Sequence, residues 1–257
     1  MRLDLYLYKN ELAKSRSFAK TLIDEGYVIV NGKTATKSSF DVTDADDIKV
    51  TGNPYEYVSR GGLKLEAAIK SFSPKIEGCV CVDIGASTGG FTDCLLKNGA
   101  SKIIALDIGH DQLDKSLLED ERVINLEGVN ARDMSIEVIG CKCDVAVSDI
   151  SFISQTYVIP RIPEILNENG IYIALIKPQF ECGKNGLGKN GIVKNKSIRC
   201  DSVKKVINCA ISSGLYVSNI IKSPIEGGDG NVEYLMYCHM IPCRNITDKE
   251  IEEVCEL

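Results

Sequence analysis

The sequence predicts an α/β fold, a Rossmann-like domain with a mostly parallel seven-stranded sheet covered by helices on both faces. Short apolar runs alternate with stretches that suit helices, and continuous apolar strands separated by helices are typical of parallel sheets. The first run leads into a glycine turn, VDIGASTGGF, and a later one, IYIALIKPQF, reaches a lysine followed by proline. Because proline disfavours helix in the residue before it, Lys177 should end its strand, where ligands bind in such sheets.

The expected elements of this larger part follow in chain order. Strands are predicted at residues 79–85, 102–108, 122–128, 144–150, 171–177, 215–221 and 233–241. Helices are predicted from about Phe91, Asp111, Ser154 and Lys196, with a short one near Ser135. The tail, ITDKEIEEVCEL, has Thr247 and Glu250 at capping-box spacing, which predicts a short acidic helix.

The first fifty residues read as a separate small α+β unit. A short amphipathic helix should run to Glu25, with Ser15 or Ser17 as its cap and Gly26 as its stop. A strand breaking at Asn31-Gly32 and another near residues 47–50 follow. The expected organisation is therefore a small domain at 1–52, a linker at 53–59, a large domain at 60–245 and an acidic tail at 246–257.

Composition narrows the class of protein. No stretch of the 257 residues approaches the roughly 20 apolar residues of a membrane span, and the first residues carry charge where a signal peptide needs an apolar run. We expect a cytoplasmic protein without stable membrane insertion. The eleven cysteines are odd in number and include no C-x-x-C pair, and there are only two histidines. Free thiols are expected, and no metal site.

Charge is distributed unevenly. The formal net charge is -6, yet residues 1–40 carry seven basic against four acidic residues, and residues 177–205 carry eight against two. Two clusters of basic residues in an otherwise acidic chain fit a protein that binds a polyanion at specific sites. Solvated faces without a partner are the alternative interpretation.

The segment RLDLYLYKNELAKSRSFAKTLIDEGYVIVNGKTATK resembles the small RNA-binding domain shared by a ribosomal small-subunit protein, some pseudouridine synthases and tyrosyl-tRNA synthetases. In that family the helix with the Ser-Arg pair and the turn before V-N-G-K form the RNA surface. The resemblance implies phosphate contacts by Lys14, Arg16, Lys20, Asn31 and Lys33, which the local excess of basic residues supports. The alternative interpretation is that these exposed residues only make a small domain soluble.

The glycine turn does not fit the common phosphate-binding patterns. Ser87 occupies the middle position of G-x-G-x-x-G, and no Gly-Lys-Ser/Thr follows as in a P-loop. Asp83, just before the turn, suits a ligand with a positive end, and Asp107, after the next strand, can accept hydrogen bonds from ribose hydroxyls. S-adenosylmethionine has both an α-amino group beside a sulfonium and a ribose. A turn that serves only strand-to-helix packing is the alternative.

V-D-I-G-x-x-x-G-G-F is similar to the first motif of class I methyltransferases. That resemblance implies S-adenosylmethionine as the cofactor. It also implies that the region from Asn130 to Asp133 faces the adenine. The residues that it places around the methionine portion are Gly85, Ser87, Thr88, Gly89 and Gly90.

Two kinds of methyltransferase are excluded by missing motifs. The adenine amino-methylases carry an Asn/Asp-Pro-Pro-Tyr/Phe run after the fourth strand, where this chain has SDISF at 148–152. The C5-methylases need an attacking cysteine, and the one Pro-Cys pair, at 242–243, follows the last strand. What remains is a set of two lysines and two acids at expected sheet termini: Lys64, Asp149, Lys177 and Glu233.

The order Lys, Asp, Lys, Glu resembles the tetrad of the FtsJ-type ribose 2'-O-methyltransferases. With the small RNA-binding domain and the motifs YVSRGGLKLEAA, SDISFIS and IKPQFE, the chain is similar to the TlyA family, long labelled haemolysins. The resemblance implies 2'-O-methylation of cytidine in ribosomal RNA of the large subunit, the small subunit or both. It implies no DNA partner. Arg60 is also expected to bind RNA.

The tetrad also suits the chemistry of a ribose hydroxyl, which must lose a proton while its oxygen attacks a sulfonium methyl. A lysine accepts a proton only where burial or a second cation disfavours its charged form. Lys177 is the candidate base, with Lys64 as the second cation and Glu233 to position Lys64. Asp149 should orient the base and also lie beside the methyl donor, as a cofactor-binding residue. The two carboxylates oppose such a lowering of the lysine pKa. Lys177 could therefore instead orient the hydroxyl or stabilise the developing oxyanion, and a purely structural ion pair is a further alternative.

Two further alternatives concern the protein as a whole. A membrane-active haemolysin would need an export signal or an insertion segment, and a non-catalytic RNA-binding module would not need the tetrad. The glycine-rich basic segment KNGLGKNGIVKNK is expected to be either a loop that closes over RNA or a disordered connector.

Overall fold

The structure, a computed structural model, describes residues 1–52, 56–227 and 230–256, apart from the side chain of Lys189. The chain divides into two units, Met1–Glu56 and Tyr57–Leu257. Residues 53–55 of the expected linker lie outside the described residues, so the linker and the domain bounds drawn from the sequence remain predictions. Among the described residues, no helix combines the length and apolarity needed to cross a membrane.

The first unit packs two helices against a small antiparallel sheet of order β2-β1-β3. Ser15 caps the second helix, because its hydroxyl accepts a hydrogen bond from the Phe18 N–H at 3.1 Å, and Gly26 follows that helix with φ +80°. Asn31 and Gly32 make the turn between the first two strands, both with positive φ. The elements are α1 (Leu3–Lys9), α2 (Arg16–Asp24), β1 (Val28–Val30), β2 (Lys33–Thr34) and β3 (Ile48–Val50).

The second unit contains a seven-stranded sheet of order β6-β5-β4-β7-β8-β10-β9. Its strands are β4 (Val80–Ile84), β5 (Lys102–Leu106), β6 (Val123–Leu126), β7 (Cys143–Ser148), β8 (Leu166–Ile176), β9 (Tyr216–Lys222) and β10 (Tyr234–His239). Neighbours from β6 to β8 pair in parallel, whereas β10 is antiparallel to both β8 and β9. The mostly parallel α/β fold expected from the sequence is thereby confirmed.

Helices and apolar clusters cover both faces of this sheet. The helices are α3 (Gly61–Phe72), α4 (Gly90–Lys97), α5 (Lys115–Leu118), α6 (Ile136–Ile139), α7 (Ile162–Ile165), α8 (Pro178–Glu181), α9 (Lys196–Ser212) and α10 (Asp248–Glu256). All eleven cysteines are free thiols.

Two helices differ from the sequence expectation. The helix expected from Asp111 is a single turn that begins after Asp114, since Asp111 has φ +54° and Asp114 caps the turn through the Ser116 N–H. The helix expected from Ser154 is broken into short 3-10 turns and α7. Pro160 and Pro163 explain the break, because proline lacks the N–H that a helix interior requires.

The strand order creates the crevice that holds the candidate site. The chain adds β5 and β6 on one side of β4 and then continues with β7 and β8 on the other side. Ile84 and Ser148, the last residues of β4 and β7, are paired, and Lys177 follows β8 directly. The carboxyl ends of these strands therefore meet at the switch point where open α/β sheets bind ligands.

Candidate active site

The glycine turn after β4 depends on the absence of side chains at two positions. Gly85 has φ +84°, and a Cβ there would lie 2.9 Å from the carbonyl oxygen of Asp149. Gly89 has φ +90°, and a Cβ there would lie 2.2 Å from Cδ1 of Leu117. Glycine therefore suits both positions because of their left-handed backbone, and at Gly85 it also allows the close approach of the turn to the Asp149 carbonyl.

Gly85→Ala should lower the free energy of unfolding by about 2–3 kcal/mol, because it adds a backbone clash to a left-handed conformation. Gly78→Ala is the matched control, since Gly78 has φ +75° and no atom within 4 Å of an added Cβ. It should cost only about 1 kcal/mol. Urea unfolding of both variants measures the difference; equal losses would show that the contact with Asp149 does not matter.

A cavity of about 510 Å³ opens beside the turn at the ends of β4, β5 and β7. Leu106, Ile108 and Ile150 give it an apolar wall that suits a flat ring. The carboxylate of Asp107 accepts hydrogen bonds from the N–H groups of Ser87 (2.8 Å) and Gly109 (2.7 Å). Each carboxylate oxygen keeps a further lone pair that can accept a ribose hydroxyl.

Asn130 also lines this cavity, as the sequence predicts for a residue near the adenine. Its side-chain oxygen accepts a hydrogen bond from the Arg132 N–H at 3.1 Å and so caps a 3-10 turn. A ligand could use the side-chain amide nitrogen of Asn130 as a donor and the second lone pair of its oxygen as an acceptor.

A second cavity, of about 270 Å³, shares lining residues with the first and is richer in charge. Both are lined by Gly85, Ser87, Asp149 and Ser151. The predicted methionine-binding residues Thr88 and Gly90 line the second cavity, and Gly89 between them is the N-cap residue of α4. The remaining charged residues of its wall are Arg60, Lys64 and Lys177.

Lys177 and Asp149 form one pair of the predicted tetrad. The Lys177 Nζ lies 2.6 Å from Oδ1 of Asp149 and donates a hydrogen bond to the Ser151 hydroxyl at 2.7 Å. The two side chains of the pair are only 11% and 21% exposed. The lysine is held in extended backbone before Pro178, the first residue of α8, as the sequence predicts.

Lys64 and Glu233 form the other pair, and it is more deeply buried. The Lys64 Nζ, from the first turns of α3, donates to Oε2 of Glu233 at 2.6 Å. Glu233 is 2% exposed, just before β10, and a Cβ on Gly227 would lie 2.5 Å from its Oε1. Lys64 reaches the wall of the second cavity, whereas Glu233 does not line it. The four predicted residues thus form two ion pairs, and three of the four residues line the same cavity.

Asp83 is fully buried behind the glycine turn. Its Oδ2 accepts a hydrogen bond from the Thr92 hydroxyl at 2.7 Å, and its Oδ1 has no partner among the described residues. Burial is the main cause that raises the pKa of this carboxyl to about 7; the charges of Asp149 and Asp107 act in the same direction, and the hydrogen bonds from Thr92 act against it. A cation bound between those carboxylates would favour ionised Asp83, which fits an ammonium or sulfonium ligand.

Sequence reasoning missed several residues of these walls, above all Ser151 and Phe152. Both belong to the Asp149 loop, which we define as residues 149–155. Phe152 has φ +65° and is 89% exposed, and its ring centroid lies 5.3 Å from that of Phe180. The available signal was its position three residues after Asp149, since an aromatic residue in a loop that follows a catalytic strand is a common ligand contact.

The RNA-binding residues expected in the first unit are all exposed. Arg16 donates to Asp4 at 2.9 Å, and the Lys14 Nζ lies 4.9 Å from the Phe18 ring centroid. The amide of Asn31 bonds the Asp46 carboxylate (2.7 Å) and the Asp47 N–H (2.9 Å), which supports the loop locally. Lys20 and Lys33 are the members of this set for which the described contacts give no local structural role.

The fold and the site together define a Rossmann-like methyltransferase. The features that define it are the doubly wound sheet, the glycine turn with acidic residues near the ends of β4 and β5, and the two lysines paired with carboxylates. The FtsJ-like methyltransferase family model matches residues 57–239, and the S4 domain model matches residues 1–48. The chain therefore belongs to the FtsJ-like methyltransferase family, with an S4 domain at its start.

Relatives along the whole chain carry two kinds of name. Hemolysin A of Brachyspira hyodysenteriae is 44% identical over 92% of this chain and 99% of its own length. The 16S/23S rRNA (cytidine-2'-O)-methyltransferase TlyA of Mycobacterium tuberculosis is 38% identical over 98% and 94%. A solved structure of a provisionally named hemolysin from Streptococcus thermophilus, 38% identical, covers 100% of this chain and 94% of that one with a TM-score of 0.81. These likenesses confirm the resemblance to the TlyA family.

Proposed function

We propose that this protein methylates the 2'-hydroxyl of a cytidine ribose in ribosomal RNA, with S-adenosylmethionine as the donor. The observation that carries the proposal is the pair of ion pairs, Lys177–Asp149 and Lys64–Glu233, beside the cavities at the switch point of the sheet. Two amines and the partly buried Asp149 in the wall of one cavity, with the buried Glu233 paired to Lys64, can position a hydroxyl and manage its proton.

The residues present fit S-adenosylmethionine. When bound, it supplies an electrophilic methyl group on a sulfonium. The larger cavity, with Asp107 and Asn130, suits the adenosine, and the glycine turn with Thr88 and Gly90 suits the methionine portion. Asp83 has a raised pKa and an oxygen without a partner among the described residues, and it adds negative potential behind the turn once a bound cation favours its ionised form.

Lys177 is the group best placed to act on the acceptor hydroxyl. It lines the smaller cavity, and Asp149 and Ser151 each hold one side of its ammonium group. As a base, Lys177 would accept the ribose proton at Nζ while the oxygen attacks. As a fixed cation, it would instead stabilise the negative charge that develops on that oxygen.

Lys177→Arg separates the two roles. If Lys177 is the base, the variant should lose activity at neutral pH and shift the ascending limb of the kcat profile to higher pH, because a guanidinium does not deprotonate in this range. Single-turnover rates between pH 6 and about pH 9.5 measure this. A profile identical in shape to that of the unmodified protein would assign Lys177 the electrostatic role.

Phe152 stands in the wall of the larger cavity with a ring that is 89% exposed, and we propose that its free face stacks on the acceptor nucleotide. Base stacking on aromatic side chains is worth about 1–3 kcal/mol. Phe152→Gly should therefore raise the KM for RNA about tenfold or more. The same change should raise the free energy of unfolding by about 1 kcal/mol, because glycine relieves the left-handed backbone. Tyr8→Gly, at an exposed tyrosine with no such backbone in α1, should destabilise instead. Loss of stability in Phe152→Gly would contradict the strain argument.

The S4 domain supplies a reason for RNA as the substrate. Its exposed lysines and arginine form a basic surface of the kind that contacts phosphates, and Arg60 adds a cation at the smaller cavity. We infer that Lys14, Arg16, Lys20, Asn31 and Lys33 contribute to this surface. For Asn31 the contribution is through the shape of the loop that it supports.

Transfer of labelled methyl groups to purified small and large ribosomal subunits tests the proposal. Mapping the modified nucleotide must identify a cytidine with a methylated ribose, and Lys177→Ala must abolish the signal. Methylation on a base would refute the ribose assignment. Leakage from liposomes on addition of pure protein without donor would instead support the haemolysin interpretation that the name of one relative suggests.

A further inference from the structure

Glu181 is a buried carboxylate outside the tetrad. It is the last residue of α8, four positions after Lys177, and only 5% of it is exposed. It accepts hydrogen bonds from the Ser154 hydroxyl and from the Gln155 N–H at 2.7 Å. The nearest cation, the half-exposed Lys205, lies 3.6 Å away. Burial of a carboxylate is costly unless it is paired and hydrogen-bonded. A carboxylate buried at this position therefore needs an explanation in terms of what its hydrogen bonds hold in place.

Both loop donors that reach Glu181 come from the end of the Asp149 loop. The beginning of that loop is fixed independently, because the Asp149 N–H donates to the Ile84 carbonyl at 3.1 Å. The Gln155 side chain donates to the Leu175 carbonyl in β8 at 2.9 Å. The loop is thus anchored at both ends, to β4 at one and to β8 and α8 at the other.

The segment between the anchors carries strain that its own contacts do not explain. Phe152 adopts φ +65° although it is bulky and 89% exposed, so burial of its ring cannot hold that conformation. A residue in a sparsely populated backbone region persists only where its surroundings enforce it. The anchors through Glu181 supply that enforcement, and α8 also provides Phe180, against which the Phe152 ring packs.

We propose that Glu181 is a positioning residue. It holds the Asp149 loop so that Ser151 accepts the hydrogen bond from Lys177 while Phe152 stays exposed beside the cavity. The consequence for methyl transfer rests on the function proposed above, whereas the consequence for the loop does not.

The absence of tryptophan from the sequence allows a direct test of the loop. Phe152→Trp introduces a single fluorescent reporter. Adding Glu181→Gln should lower the anisotropy of that reporter and increase its quenching by acrylamide, because the loop is released. Asp144→Asn is the matched control: Asp144 accepts from the Val80 N–H (2.9 Å) and the Asn167 amide (2.7 Å) at the opposite ends of the strands. It should leave both signals unchanged.

A double-mutant cycle tests the link to catalysis. Glu181→Gln alone should lower kcat/KM for RNA by on the order of 100-fold, the scale of a misplacement by about 1 Å. In the Phe152→Gly background the same change should cost much less, because the strained residue that Glu181 holds is gone. An equal loss in both backgrounds would overturn the proposal.

Ser154→Ala replaces Glu181→Gln as the test variant if Glu181→Gln fails to fold. It removes one donor on the loop side and leaves the carboxylate in place, so it should give a smaller fall in reporter anisotropy. If these variants change only Tm, with the reporter unaffected, Glu181 is a structural residue alone and the proposal is wrong. If the unmodified protein transfers no methyl group to RNA, the proposed function fails, while the fluorescence result still decides the role of Glu181.

Discussion

Lys177→Ala should lower kcat for methyl transfer to ribosomal RNA by about 10²- to 10⁴-fold, the range for loss of a group that handles a proton in the transition state. The Lys177 Nζ lies 2.6 Å from Asp149 and contacts Ser151 in the smaller cavity. Its removal leaves Asp149 without this cation. The larger cavity, which we assign to the adenosine, does not include Lys177 in its wall. Donor affinity should therefore change far less than the rate.

Single-turnover methyl transfer and calorimetric donor binding measure the two quantities separately. Lys142→Ala is the control, because Lys142 is exposed and precedes β7 at the end of the strand away from the site. It should leave both unchanged. A loss of less than about threefold in Lys177→Ala would remove Lys177 from the catalytic machinery, and a matching loss of donor affinity would make it a donor-binding residue.

Asp83→Asn should remove a pH-dependent loss of stability from the ligand-free protein. Burial raises the pKa of Asp83 from 3.8 to about 7 in the folded state. Between those values the unfolded chain has released a proton that the folded protein still holds, so the free energy of unfolding falls as pH rises through this window. The three-unit shift corresponds to about 4 kcal/mol, lost by pH 7 and constant above it.

Chemical unfolding at pH 4 and pH 8 measures the slope in the unmodified protein and in the variant. The variant should show a smaller fall, because asparagine does not titrate, and its donor affinity should drop about tenfold, since ionised Asp83 attracts a cationic ligand. Asp201→Asn, at an exposed position of α9, should keep the slope of the unmodified protein. An unchanged slope in Asp83→Asn would mean that Asp83 does not carry this proton.

Local patterns made most of the fold predictable. Alternation of apolar runs with helical stretches gave the order of the seven strands along the chain, and the Lys177-Pro178 junction gave the position of the lysine at the end of β8. The errors arose where local signals conflict. The helix expected from Ser154 ignored the two prolines that break it into short turns.

The candidate site was predictable only in part, because partners distant in sequence are set by packing. The tetrad residues and their pairing could be named from their order and the family resemblance, but no local signal indicates that Lys64–Glu233 is the more deeply buried pair. Likewise, the burial of Asp83 follows from helix α4 covering β4, and the strained Phe152 follows from anchors on three elements. Such features depend on tertiary contacts rather than on residue type.

The position of β10 ties the candidate site to a strand pairing between segments that are far apart in the sequence. This strand follows β9 in the sequence but inserts between β8 and β9, and Glu233 enters the site with it. A nascent chain that stops short of residue 233 leaves a gap within its sheet and the Lys64 ammonium without its counterion. The site is therefore complete only after this long-range pairing has formed, so catalytic competence reports that the sheet has closed around β10.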